Sequence, residues 1–175
     1  ELADKTHQVT RLATTQVETL DSITPVFPTQ DNIDDKDSIS GKDRKILIIE
    51  DDPNFSSVLV EFVRERQYKA ILANDGTTGL LYARQYKPDA ILLDMKLPML
   101  SGGEVLKQLK SDPELRHIPV QIIPGYGSRT HGLKQGALDF VKKPITRETF
   151  WKALDKIENF VSRKPKKLLI VEDDV

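Results

Sequence analysis

The sequence predicts an α/β domain in which a doubly wound, parallel five-stranded sheet is built from five β-α units. Three observations carry that prediction. Ile46–Ile49 and Ala90–Leu93 are apolar runs without polar alternation, as expected of strands covered on both faces. Segments with helical apolar spacing separate successive runs, which makes neighbouring strands parallel with helices as crossovers. Both runs end on acids, Glu50-Asp51-Asp52 and Asp94, at the carboxyl ends of strands, where open α/β sheets hold their ligands.

Taken in order, residues 1–20 place Leu2, Val9, Leu12, Val17 and Leu20 among polar side chains, a sparse pattern that reads as the helical tail of an upstream domain. Residues 21–43 shift to Asp, Ser, Thr and Pro, with the stretch DNIDDKD, and read as a mobile, solvated linker with little to bury. The domain proper spans residues 44–162. It opens with a strand at Lys45–Glu50 and a helix over about Asn54–Arg66, with Phe55, Val58, Leu59 and Phe62 on one face. A second strand, Tyr68–Ala73, turns through Asn74-Asp75-Gly76 into a helix ending near Tyr86, and Pro88 introduces the third strand, Ala90–Asp94. The loop KLPMLSGG opens a helix carrying Val105, Leu106 and Leu109. A fourth strand, Ile118–Ile123, leads past Gly125 and Gly127 to a short helix that Gly136 stops. The fifth strand, Leu138–Val141, precedes Lys143-Pro144 and a last helix with Phe150, Leu154, Ile157 and Val161 on one face.

Composition narrows the function classes. The 175 residues include 38% hydrophobic ones, enough for one sizeable core. A formal net charge of -1 gives no electrostatic reason to expect nucleic acid or an anionic membrane surface as partner. With no cysteine, disulfides and thiolate chemistry are excluded, which is compatible with a cytoplasmic setting. No apolar stretch has the length of a membrane span, although attachment to a membrane sensor through a parent protein stays open. RKILIIEDD at Arg44–Asp52 returns as KKLLIVEDD at Lys166–Asp174, about one domain later. Residues 163–175 therefore read as a linker and the first strand of a truncated second copy, able to pair with a sheet edge of the same or another molecule.

Glu50, Asp51 and Asp94 are expected to meet at one sheet edge. Carboxylates that close repel unless a cation intervenes. Oxygen ligands of this kind suit magnesium, which binds few carboxylates and keeps several waters.

These residues resemble the receiver domains of two-component response regulators and hybrid sensor histidine kinases, over about Arg44–Val161. The resemblance implies the flavodoxin-like receiver fold. It also implies that Asp94 accepts a phosphoryl group from a phosphohistidine on a kinase or phosphotransfer domain, with Lys143 contacting the phosphoryl group. The metal ligands it implies are Glu50, Asp51, Asp94 and the backbone carbonyl of Lys96. LLDMKLPMLSG keeps the family's Pro98 and Gly102, and Lys143-Pro144 keeps its Lys-Pro pair. On this reading the chain catalyses its own aspartyl phosphorylation and is otherwise not an enzyme. Its partners are the donor and an adjacent receiver, or a second copy bound through the fourth helix, fifth strand and fifth helix or through a swapped C-terminal strand.

The chain departs from the family at the switch. Where receivers usually carry Thr or Ser after the fourth strand, this one has Pro124, followed by Gly125, and Phe140 stands where Tyr is common. Pro124 brings neither a hydroxyl nor an N–H, so the Gly125 N–H is left as the hydrogen-bond donor to a phosphoryl oxygen there. One alternative is therefore a degenerate receiver that acts as a phosphate-independent interaction module. The other is a magnesium-dependent phosphatase with an aspartyl nucleophile, disfavoured because Lys96 stands where that class wants a second acid. His7, His117 and His131 lie in no kinase histidine box and read as exposed. Met99 and Leu100 are either donor contacts or seals of the sheet top. Trp151 belongs either to the output face or to the core.

Overall fold

The computed structural model describes residues 34–123, 136–141, 143 and 145–162. The strands are β1 (Lys45–Ile49), β2 (Lys69–Ala73), β3 (Ala90–Asp94), β4 (Val120–Ile123) and β5 (Asp139–Phe140). They form one parallel sheet in the order β2-β1-β3-β4-β5. The described helices are α1 (Pro53–Glu65), α2 (Gly76–Tyr86), α3 (Gly102–Ser111) and α4 (Arg147–Val161). The helix expected between β4 and β5 lies outside the described residues, as do residues 1–20 and 163–175. Gly136, its expected stop, has φ +91°, a conformation that suits glycine. No helix among the described residues is long and apolar enough to cross a membrane.

The missing alternation in β1 has a direct physical cause. Leu47 and Ile49 face a cluster containing Leu80, Ala83, Val105, Leu106 and Leu109 from α2 and α3. Ile46 and Ile48 face the opposite cluster, with Leu59, Val60 and Val63 of α1 and Phe150, Leu154 and Ile157 of α4. These four of the five β1 side chains are fully buried, and each such aliphatic contributes about 1.5–3 kcal/mol of transfer free energy.

Helix starts are fixed by local chemistry. Asp52 caps α1 by accepting from the N–H groups of Asn54 and Phe55, with Pro53 at the first helical position. Asp75 caps α2 through Thr78. Ser101 and Glu104 form a reciprocal capping box on α3, and Thr146 with Thr149 does the same on α4.

Several expected boundaries and faces are corrected. β4 begins at Val120 because Pro119 has no N–H to give the ladder, although its carbonyl still accepts from Ile91 N. On α1 the buried stripe is Ser56, Leu59, Val60 and Val63, with Phe55 and Phe62 on its flank. Ser56 can be buried because its hydroxyl donates to the Pro53 carbonyl at 3.0 Å. On α4 the buried face ends at Ile157, and Val161 is 50% exposed. Within the linker, Asp34–Ser38 is docked rather than solvated, with Asp34 and Asp35 bonded to β2.

Candidate functional site

Strand order brings the acids together. From β1 the chain crosses to β2 on one side, and β3 then returns to the other side of β1. The crevice between the carboxyl ends of β1 and β3 is therefore the topological switch point of the sheet. Ile49 pairs with Leu93, so Glu50 and Asp94, the next residue on each strand, emerge side by side. Carboxylate oxygens of Glu50, Asp51 and Asp94 lie within 4.8 Å of one another. Glu50 and Asp94 are buried, at 2% and 4% exposure, while Asp51 is exposed.

Lys143, just beyond β5, bridges the buried pair. Its Nζ lies 2.9 Å from Asp94 Oδ2 and 3.2 and 3.0 Å from the two oxygens of Glu50. The ammonium also sits 4.1 Å from the centre of the Phe55 ring, a cation–π contact supplied by the first turn of α1. Burial opposes the charge on Lys143, but its hydrogen bonds to Asp94 and Glu50 outweigh that and hold its pKa above the ordinary value. Glu50 is pushed up to about 7, first by burial and next by the charge on Asp94, with Lys143 offsetting only part of both. Two facing buried carboxylates thus share one ammonium, and the described part of the site is short of positive charge.

The backbone completes the setting. Lys96 N donates to Asp94 Oδ1 at 3.1 Å, which orients the carboxylate, while the Lys96 side chain is exposed. A Cβ on Gly102 would stand 2.1 Å from the Asp94 carbonyl oxygen and 2.6 Å from Met95 Cα, so only glycine lets α3 start this close beneath the acid. Pro98, Met99 and Leu100 form a tight turn, with Leu100 N donating to the Pro98 carbonyl at 2.7 Å and Met99 at φ +60°. That turn separates the two residues: Leu100 packs on the α2/α3 core cluster, and Met99 is 86% exposed.

Of the other residues singled out from sequence, Asp52 is the cap of α1. Phe140 is partly buried against the α2/α3 cluster. Trp151 packs on the α1/α4 cluster, with the guanidinium groups of Arg66 and Arg147 near its ring. His117 is exposed. Pro124, Gly125, Pro144, His7 and His131 lie outside the described residues. Phe55 was missed as a site residue. Its signal was position alone, an aromatic in the first turn of the helix that follows the acids.

Comparison with known proteins adds to this geometry. The family described as the response regulator receiver domain matches residues 46–155. Protein PilH of Pseudomonas aeruginosa is 34% identical over 116 residues, covering 65% of this chain and 96% of that protein. The polar-differentiation response regulator DivK of Brucella anthropi is 34% identical over 110 residues, 61% of this chain and 89% of DivK. The response regulator PleD of Caulobacter vibrioides is 40% identical over 104 residues, but the match spans only 23% of PleD. Among solved structures, the receiver domain of a Pseudomonas aeruginosa sensor histidine kinase superposes with a TM-score of 0.62 at 25% identity. It covers 69% of this chain and 99% of that one, and it is described as having a magnesium ion coordinated in its active-site cleft.

Proposed function

The chain belongs to the response regulator receiver family, and from that premise we propose that it takes a phosphoryl group from a phosphohistidine onto Asp94 to relay a two-component signal. The observation that carries this reading is the buried Asp94 carboxylate at the switch point, bridged by Lys143 to a second buried acid that faces it. A receiver that sits on the cytoplasmic side of a hybrid sensor kinase with tandem receivers accommodates the repeated KKLLIVEDD motif.

In the proposed reaction an Asp94 carboxylate oxygen attacks phosphorus in line, the O–P bond of an acyl phosphate forms and the donor's N–P bond breaks. The departing imidazole keeps the electron pair and takes up a proton. Lys143, 2.9 Å from Asp94 Oδ2, pairs in this reading with a phosphoryl oxygen once Asp94 is phosphorylated. Lys96 N, bonded to Oδ1, keeps the carboxylate from rotating.

The residues fit a magnesium ion. Three carboxylates offer oxygens within 4.8 Å, and burial, then the charge on Asp94, push Glu50 up to about 7 beyond what Lys143 offsets. Glu50, Asp51, Asp94 and the Lys96 carbonyl would hold the ion, which when bound supplies charge neutralisation at the phosphoryl oxygens.

The test is incubation with a small-molecule phosphodonor with and without magnesium, following the mass of the chain and of Asp94→Asn. A magnesium-dependent adduct that the variant loses supports the reading. The missing hydroxyl at Pro124 favours a second one, a phosphate-independent interaction module. No adduct on the native chain, together with an adduct on Pro124→Thr, would select it.

A further inference from the structure

β2 forms one edge of the sheet, and the N–H groups of Ala70 and Leu72 on its outer side both go to the linker. Ala70 N donates to Asp35 Oδ2 at 2.9 Å and Leu72 N to Asp34 Oδ2 at 3.2 Å. In return Asp35 N donates to the Ala70 carbonyl at 2.7 Å. Arg64 of α1 grips Asp35 with a fork, Nε at 3.2 Å and Nη2 at 3.0 Å. Lys36 pairs with Asp34 at 3.3 Å, and Ser38 Oγ donates to the Asp35 carbonyl and accepts from Lys69 Nζ. The two carboxylates are only 12% and 15% exposed. Ile39 then packs against the α2/α3 core cluster.

This pattern copies strand pairing with side chains. A sixth strand would satisfy the edge with backbone carbonyls; here carboxylates do so with stronger, charge-assisted bonds, and the three-residue 3-10 turn Lys36–Ser38 ends the contact. The contacts also have a direction. Asp34 meets Leu72, Asp35 meets Ala70 and Ser38 meets Lys69, so Asp34–Ser38 runs antiparallel to β2. An unprotected β2 would present a row of N–H and C=O groups, which is self-complementary about a two-fold axis.

We infer that Asp34–Ser38 is a latch that ties the linker to the domain and closes the β2 edge against pairing with a second copy of this chain. The latch is independent of phosphoacceptor chemistry. It is tested on the full chain by comparing Asp34→Ala/Asp35→Ala with the native protein in two measurements, amide hydrogen exchange and light-scattering mass against concentration. At dilutions where the variant is still a single chain, the expected result is exchange at Ala70 and Leu72 about tenfold faster or more, the scale of a lost charge-assisted hydrogen bond. Exchange at Leu47 and Leu92 stays unchanged, reporting an intact sheet, and the mass rises with concentration. The single variant Asp35→Asn keeps an acceptor for Ala70 while losing the charge facing Arg64, and is expected to show a smaller rise at Ala70 alone. Unchanged exchange at Ala70 and Leu72 overturns the latch, and a single-chain mass at every concentration overturns its edge-closing role.

Discussion

Two acidic groups flank the same sheet and behave in opposite ways. At the carboxyl ends of β1 and β3, Glu50 and Asp94 face each other with one ammonium between them, and Glu50 is pushed up to about 7. On the β2 edge, Asp34 and Asp35 face backbone N–H groups and cations. Burial works against the charge of Asp35, but the bonds from Arg64 and Ala70 outweigh it and hold the carboxyl below its ordinary range. Burial raises both, and it is the first cause of the rise at Glu50, which lies deeper than Asp35. The charge on Asp94 adds to that rise beyond what Lys143 offsets, whereas at Asp35 the donors outweigh burial. The first group has one ammonium for two buried carboxylates, the arrangement on which the proposed metal and phosphoryl chemistry rests; the second is satisfied by donors and cations.

The largest test of this contrast is Lys143→Met. Removing the ammonium leaves two buried carboxylates uncompensated, a loss on the order of 3–5 kcal/mol when one partner of a buried pair is deleted. Thermal unfolding without divalent cations should show a sharply lowered midpoint, and added magnesium should recover much of it. A midpoint within a degree or two of the native one would mean that the acids are not electrostatically dependent on Lys143.

Gly102→Ala comes next, because its Cβ would press on the Asp94 carbonyl at 2.1 Å. Backbone must move to relieve that contact, at about 1–3 kcal/mol, and the movement displaces Asp94. Reduced stability and reduced phosphodonor labelling should appear together, with amide exchange at Ala70 unaffected. Labelling at the native rate would show that Asp94 tolerates the shift.

Glu50→Gln sharpens the comparison by its sign. Taking a charge out of a crowded pair should leave the metal-free protein as stable as the native one or more so, by about 1 kcal/mol, while magnesium raises its midpoint less than that of the native chain. A clear loss of metal-free stability would place the site with the latch, among satisfied carboxylates.

The two regions were unequally legible in the sequence. Unalternated runs such as Ile46–Ile49 mark strands buried on both faces, so the sheet and the acids at its carboxyl ends could be read directly. Asp51 and Asp52 look alike in sequence, yet one joins the acid cluster and the other caps α1; the division follows from where the helix starts, at Pro53. The stretch DNIDDKD reads as solvated because pattern reading weighs apolar burial. Its last residues are held by carboxylate bonds to an edge that exists only once the strand order is known. The ring of Phe55 beside Lys143 was illegible for the same reason, since the two meet only when β5 and α1 are placed around β1.

The smallest expected effect is the pH response of the latch. Asp35 has a folded pKa below its unfolded one, so its contribution is fully present above the unfolded value and is lost as pH falls through the folded value. The groups facing it are the Arg64 guanidinium and the Lys69 ammonium, with Lys36 on the neighbouring Asp34. The Ala70 amide resonance, followed by NMR, should therefore be constant from neutral pH down to about 5 and move only at more acid pH. In Asp35→Asn that acid-range movement should vanish. A midpoint above the ordinary carboxylate range would show that burial, not Arg64, dominates Asp35, and would make the two acidic groups alike.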